Sequence, residues 1–138
     1  MGSSNLDYLD NHFLYVGDNL QFPPTNLNEL EQVGDTTGGT PFALQLDCNS
    51  AVGVKLRLNG NESAAIKDKG VLKNDARHNR TRGIADQLLY QNAPVMFHIE
   101  IDMGTAAEIP LHARYYQTQH RVAAGEVNAV ATYTLTYY

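Results

Sequence analysis

The chain holds a single cysteine, Cys48, among its 138 residues, so no disulfide forms within it. On its own that argues for a reducing compartment. Three readings of the thiol stand side by side: a small apolar core residue, a nucleophile, or a cysteine whose partner lies outside this sequence. No histidine lies near it in sequence, which weakens the nucleophile. Long apolar runs are missing too. No stretch approaches the ~18 residues a membrane helix requires, and no membrane insertion is expected. A basic stripe is also absent: Lys and Arg total 10 against 15 Asp and Glu, a net charge of −5. A nucleic-acid backbone therefore finds no footprint. There is no phosphate loop, no paired-carboxylate site and no nucleophile motif, so no catalytic residue, cofactor or enzymatic activity is expected. No secretory signal is visible, but MGSS at 1–4 reads as a cloning remnant, so a signal could have been removed. Leu6 stands where a myristoylation pattern demands Ser or Thr.

What is present is an alternating pattern. A hydrophobic content of 43% with 18% charge excludes a disordered chain, and the length suits one domain, residues 5–138. TPFALQLDC places Phe42, Leu44, Leu46 and Cys48 on one face. AVGVKLRLNG does so with Val52, Val54, Leu56 and Leu58. PVMFHIEID alternates Val95, Phe97, Ile99 and Ile101, and IPLHARYYQT alternates Ile109, Leu111, Ala113 and Tyr115. Each run reads as a strand with one face buried and one in water. Turn chemistry separates them at Thr36 to Pro41, Asn59-Gly60-Asn61, Gln91 to Pro94 and Met103-Gly104-Thr105. NLNELEQV at 26–33 makes at most a turn or two of helix between Pro23-Pro24 and Gly34. The polar stretch 61–83 reads as surface loop with a short strand at Val71-Leu72. Short strands at this spacing indicate an all-β sandwich of six or seven strands. Its expected core is Phe42, Leu44, Leu46, Val54, Leu56, Val95, Phe97, Leu111, Ala113 and Tyr115.

Few groupings suggest chemistry. His98, Glu100 and Asp102 share a strand face, but same-face neighbours on a strand lie about 7 Å apart, too splayed to close on one ion. They read as a solvated face, and no metal site is expected. His112 beside Arg114 reads the same way. Asn61-Glu62-Ser63 and Asn79-Arg80-Thr81 fit the glycosylation pattern, which matters only in a eukaryotic secretory route.

The ending is more specific. GEVNAVATYTLTYY, residues 125–138, puts Val127, Ala129, Ala131, Tyr133, Leu135 and Tyr137 on one face of a long strand. Chain ends usually fray, so a run this apolar belongs inside something or awaits something. Gly125 is the fourteenth residue from the C-terminus and Tyr137 the penultimate one. With IPLHARYYQT before it, this resembles the C-terminal signature of bacterial pilus subunits of the chaperone–usher pathway. VGDTTGGTPFALQLDC (33–48), VKLRLNG (54–60), GVLKND (70–75) and GIADQLLYQNAPVMF (83–97) match upstream in the right order.

The resemblance, over roughly residues 20–138, implies an all-β fold: an incomplete immunoglobulin-like β-sandwich lacking its final strand. The C-terminal strand is then an edge beside an open groove. The implied partners are a periplasmic chaperone, an outer-membrane usher and an adjacent pilus subunit that supplies a donor strand, in an extracellular fimbrium reached through the periplasm. The implied binding residues are Gly125, Val127, Ala129, Ala131, Tyr133, Leu135, Tyr137 and Tyr138. Two departures stand out. Family members commonly bridge the position of Cys48 to the first strand, expected here near 11–22, where there is no cysteine. Such a bridge, closing a loop of about 30 residues, contributes ~3–4 kcal/mol. A donor extension with alternating large apolar residues is also not seen in either phase of residues 5–16: Leu6, Tyr8, Asp10, His12 or Asp7, Leu9, Asn11, Phe13. That points to a tip subunit, commonly the C-terminal half of a two-domain adhesin. The alternative, from another class, is a stand-alone receptor- or carbohydrate-binding sandwich.

The period of two turns Cys48 inward. Its thiol is expected to react slowly with a thiol reagent under native conditions and promptly in denaturant; fast native labelling would show either that the register is wrong or that the first strand is not docked over it.

Overall fold

A computed structural model describes the backbone of residues 8–16, 19–22, 25–45, 53–74, 82–105, 108–123 and 125–138, and side chains from residue 27 onward within those spans, Gln45 excepted. Cys48 and Leu46 lie outside the described residues, as do 1–7, the segment that holds MGSS.

Among the described residues eleven strands follow one another, where six or seven were expected: β1 (Tyr8–Val16), β2 (Asn19–Phe22), β3 (Thr25–Asn26), β4 (Thr36–Gln45), β5 (Val54–Gly60), β6 (Val71–Leu72), β7 (Ile84–Tyr90), β8 (Ala93–Pro94), β9 (Glu100–Asp102), β10 (Glu108–Gln117) and β11 (Glu126–Tyr137). One sheet has the order β2-β1-β11-β5-β9, with β3 beside β1. The other has the order β4-β10-β7-β6, with β8 beside β7. Leu56, Leu58, Ala129 and Ala131 of the first sheet meet Leu44, Leu88, Ile109, Leu111 and Ala113 of the second in one buried cluster. The result is an immunoglobulin-like β-sandwich. A smaller cluster of Leu30, Ile84, Tyr115 and Val127 closes one end.

The alternation holds best in β10, where Ile109, Leu111, Ala113 and Tyr115 are all buried. In β5, Val54, Leu56 and Leu58 are buried likewise. Of the ten expected core residues, Phe42 is only half-buried, at the margin of the main cluster.

Four expectations are corrected. Thr36 to Pro41 is not a turn but the first half of β4. Thr37 pairs with Tyr115 and Thr40 with Ala113, so Gly38 and Gly39 oppose Arg114 alone. Gly38 has φ +69°, the left-handed residue such a bulge uses, and the two glycines mark the bulge. Asn59 and Gly60 likewise stay within β5. Gly60 is there because a Cβ would lie 2.5 Å from Leu72 Cδ2. Residues 94–102 are not one strand. His98 takes φ +65°, its N–H donates to the Leu58 carbonyl at 2.7 Å, and the chain crosses from β8 in one sheet to β9 in the other. Val95 and Phe97 stay buried, but beyond the crossing Ile99 is 49% exposed. Finally, the first strand is two: β1 and β2 pair antiparallel, Leu14 opposite Leu20.

One strand lacked a visible period. β7 is buried at six consecutive positions, Ile84 through Leu89. Its outer face is covered too: Gln87 donates from Nε2 to the Lys69 carbonyl at 2.8 Å and accepts from Arg114 Nε at 2.7 Å. Buried Asp86 and Gln87 interrupt its apolar run, which hides it from a polarity pattern.

The Lys69–Gly70 segment is held against β7 by Leu88 N–H donating to the Gly70 carbonyl at 2.9 Å. Gly70 has φ +70°, and a Cβ there would lie 2.7 Å from the Leu88 carbonyl oxygen and 3.0 Å from Val95 N. Gly104 has φ +65° but open space around it. Gly70→Ala is therefore expected to lose about 2–3 kcal/mol in denaturant unfolding, against about 1 for Gly104→Ala, which meets the conformational penalty alone. Equal losses would mean that the close approach is not real.

Candidate functional site

β11 spans 12 residues, about 40 Å of extended chain. In a strand each residue turns its N–H and C=O to one flank, and the next residue turns its own to the other. Here the even residues face β5. Gly53 N–H donates to the Tyr138 carbonyl at 2.8 Å, and Tyr138 N–H returns a bond to Gly53 at 2.9 Å. The register carries this pairing back to Ala131 opposite Gly60. β5 ends there, and a side chain continues the work. Asn74, 8% exposed, donates from Nδ2 to the Glu126 carbonyl and accepts at Oδ1 from the Asn128 N–H, both at 3.0 Å. Its carboxamide reproduces one rung of a ladder.

The odd residues face the other flank, and there the partner is shorter. β1 runs parallel to β11 with Leu14 opposite Ala129 and Val16 opposite Ala131. Past that point no described strand pairs with this flank, so among the described residues the backbone groups of Tyr133, Leu135 and Tyr137 form an open edge. The sequence reading expected the whole of β11 to be such an edge; β1 covers its proximal half. Parallel pairing of a segment only a hairpin away from β2 has no signature in a polarity pattern.

The side chains of the odd row point into the sandwich, and their burial follows the same division. Val127, Ala129 and Ala131 are 0–2% exposed. Tyr133 and Leu135 are half-buried against the main core, and Tyr137 is 45% exposed. An apolar row of large side chains thus lies under an unpaired backbone edge. The geometry suits one chemical event: addition of an extended strand, whose backbone bonds the edge and whose side chains cover the row.

Tyr138 is not part of that row. Its hydroxyl donates to the Asp102 carboxylate, 2.6 and 2.7 Å from the two oxygens. Its ring lies over Gly53, where a Cβ would come within 2.2 Å of ring carbon Cζ. Lys55 Nζ stands 5.4 Å from the ring centroid, within reach of a cation–π attraction. The phenol hydrogen bond, then the Gly104 N–H and the Lys55 charge, hold Asp102 below the usual carboxylate range. The same bond raises the Tyr138 phenol. Gly53, Asn74 and Asp102 are thus the residues that position β11. No spacing rule marks them in the sequence, since each acts on a strand far away along the chain.

The remaining sequence candidates do not assemble into a site. His98 turns away from Glu100 and Asp102, and its ring nitrogens lie 3.2 Å from Asn59 Oδ1 and the Gly60 carbonyl. Among the described residues no cluster of three or more His, Cys, Asp or Glu is placed to hold a metal. His112 is exposed, while Arg114 is occupied by Gln87.

Comparison with known proteins converges on one family. The family model described as Fimbrial protein matches residues 15–138. A fimbria adhesin protein of Klebsiella pneumoniae is 32% identical over 124 residues, covering 79% of this chain and 39% of the relative. The chain thus spans about two-fifths of that relative's length. Among solved structures, the antigen and type I fimbria protein of Burkholderia pseudomallei superposes with a TM-score of 0.64 at 28% identity, over 80% of this chain and 75% of the other. A tip adhesin of Pseudomonas aeruginosa gives 0.64 at 19% identity, over 89% of this chain and 34% of the other, a likeness of fold alone.

The tie at Tyr138 predicts a pH signature for Tyr138→Phe. Asp102, depressed in the fold, contributes stability above its unfolded pKa and loses it as pH falls through the folded one. Tyr138, raised, contributes below its unfolded pKa and loses it as pH rises through the folded one. The wild-type advantage over Tyr138→Phe should form a plateau between about pH 4 and about pH 10 and shrink outside it. A difference that does not change with pH, measured by urea midpoints, would exclude the bond.

Proposed function

The chain belongs to the fimbrial protein family, and from that premise we propose that it is an assembly subunit joined to its neighbour by donor-strand complementation at β11. Proteins of this family are structural components of extracellular pili rather than enzymes, and they associate with other pilus subunits. In the proposed role, residues 5–138 form one pilin domain, and its acceptor residues are those of the C-terminal signature. Val127, Ala129, Ala131, Tyr133, Leu135 and Tyr137 form the row that a donor strand covers. Gly125 immediately precedes the strand and Tyr138 pins its far end. A periplasmic chaperone shields the edge after export, an outer-membrane usher hands the subunit on, and the donor strand of the adjacent subunit replaces the chaperone.

The observation that carries this reading is the open edge of Tyr133, Leu135 and Tyr137 above a half-buried apolar row. A finished sandwich has no reason to leave large apolar side chains beside unpaired backbone, because such an edge invites aggregation. Within this reading we favour the pilin half of an adhesin. The similarity to 39% of the length of a fimbria adhesin supports it.

Covering three large apolar side chains, each worth ~1.5–3 kcal/mol when buried, is enough to move a marginal domain decisively. A synthetic peptide alternating large apolar and polar residues is expected to raise the melting temperature by about 10 °C or more, at a few degrees per kcal/mol. Leu135→Asp should abolish that gain by placing an unpaired charge under the donor. A domain that is monomeric, cooperative and indifferent to any such peptide would instead support a stand-alone receptor- or carbohydrate-binding sandwich.

A further inference from the structure

Every strand pairing among the described residues is antiparallel except that of β1 with β11. Parallel bonds are slanted and slightly weaker per residue. The register is also broken: Asp10 stands opposite Glu126 but Phe13 opposite Asn128, three steps of β1 against two of β11. β1 then leaves β11 at Ala131 and returns as β2. The flank that β1 covers is the same one that, among the described residues, lies open at Tyr133, Leu135 and Tyr137. A strand running the length of this flank therefore meets an open half first and an occupied half second.

We propose that β1 is a displaceable internal strand. It pairs with the proximal half of the acceptor flank while no partner is present. It is peeled away when an extended strand of alternating large apolar residues seats on Thr132–Tyr137 and zips toward Glu126. This rests on the donor-strand reading and adds to it the segment of this chain that must leave. The open edge gives the incoming strand bonds to Tyr133, Leu135 and Tyr137 before any existing bond breaks. Each later step exchanges one backbone partner of β11 for another, so Val127, Ala129 and Ala131 are never left without a neighbour, a state that unpaired buried backbone makes costly. An incoming strand in unbroken register over the whole of β11 outcompetes the short, interrupted parallel ladder. Until it arrives, β1 keeps half of a hazardous edge closed.

The test locks β1 in place. In a Cys48→Ser background, Leu14→Cys and Ala129→Cys place thiols on facing residues of neighbouring strands, within the Cα range of a disulfide. The probe is a fluorescent 12-residue peptide alternating Val or Ile with Thr, and the readout is its binding rate. The oxidised protein is expected to bind at least about tenfold more slowly than the same protein reduced. Phe13→Pro with Leu14→Pro, which removes ladder donors from both flanks of β1, should bind at least about tenfold faster than wild type. The proposal is overturned if the bridge does not form under oxidising conditions, since β1 would then not lie beside Ala129. It is equally overturned if oxidised and reduced proteins bind at one rate. If no form binds the peptide, the double proline variant included, the donor-strand reading itself falls and the displacement with it.

Discussion

A strand has two rows of backbone groups, and each row needs a partner wherever water is kept out. On β11 that requirement is met by unequal means. The even row is paired by β5 at Thr132, Thr134 and Thr136, by Gly53 at Tyr138 and by the Asn74 carboxamide at Glu126 and Asn128. The odd row has β1 as far as Ala131 and no described strand beyond. The order of the whole first sheet follows from this difference, since β1 and β2 lie where they do because one flank of β11 was available.

Side-chain size is graded along the same strand. Val127, Ala129 and Ala131 are small, and from the opposite sheet Tyr115 shares a buried cluster with Val127, and Leu111 with the two alanines. Tyr133, Leu135 and Tyr137 are large; the first two are half-buried and the last exposed, because nothing described closes over their end of the row. Such an arrangement is poor design for an isolated domain and sound design for one completed by another chain. The anchoring of Tyr138 fits the proposed role. A strand offered as a template must be held straight, and the Gly53 backbone pair with the Asp102–phenol bond fixes its far end without covering the open flank.

Irregularities elsewhere arise where the sheets exchange chain. The bulge at Gly38-Gly39 bends β4 against β10, and the left-handed His98 carries the chain from β8 to β9. Both are local kinks inside segments whose composition suggests something simpler. Glycines suggested a turn where a bulge was needed. An unbroken apolar alternation suggested one strand where the chain changes sheets, and no side chain marks a positive φ at a histidine.

Polarity with a period of two was enough to determine the all-β class, the inward faces of β5 and β10, and the apolar row of β11. Each of these depends only on which residues prefer to leave water, and that preference is written one residue at a time. The ordered motifs around Gly125 and Tyr137 went further and placed the chain near its family. What neighbours β11 on each flank was decided only by the tertiary structure. A carboxamide at Asn74 standing in for a strand, a glycine at 53 clearing space for a ring, and β1 arriving parallel are pairings between residues far apart in sequence. They depend on geometry that emerges only once the two sheets have closed on each other.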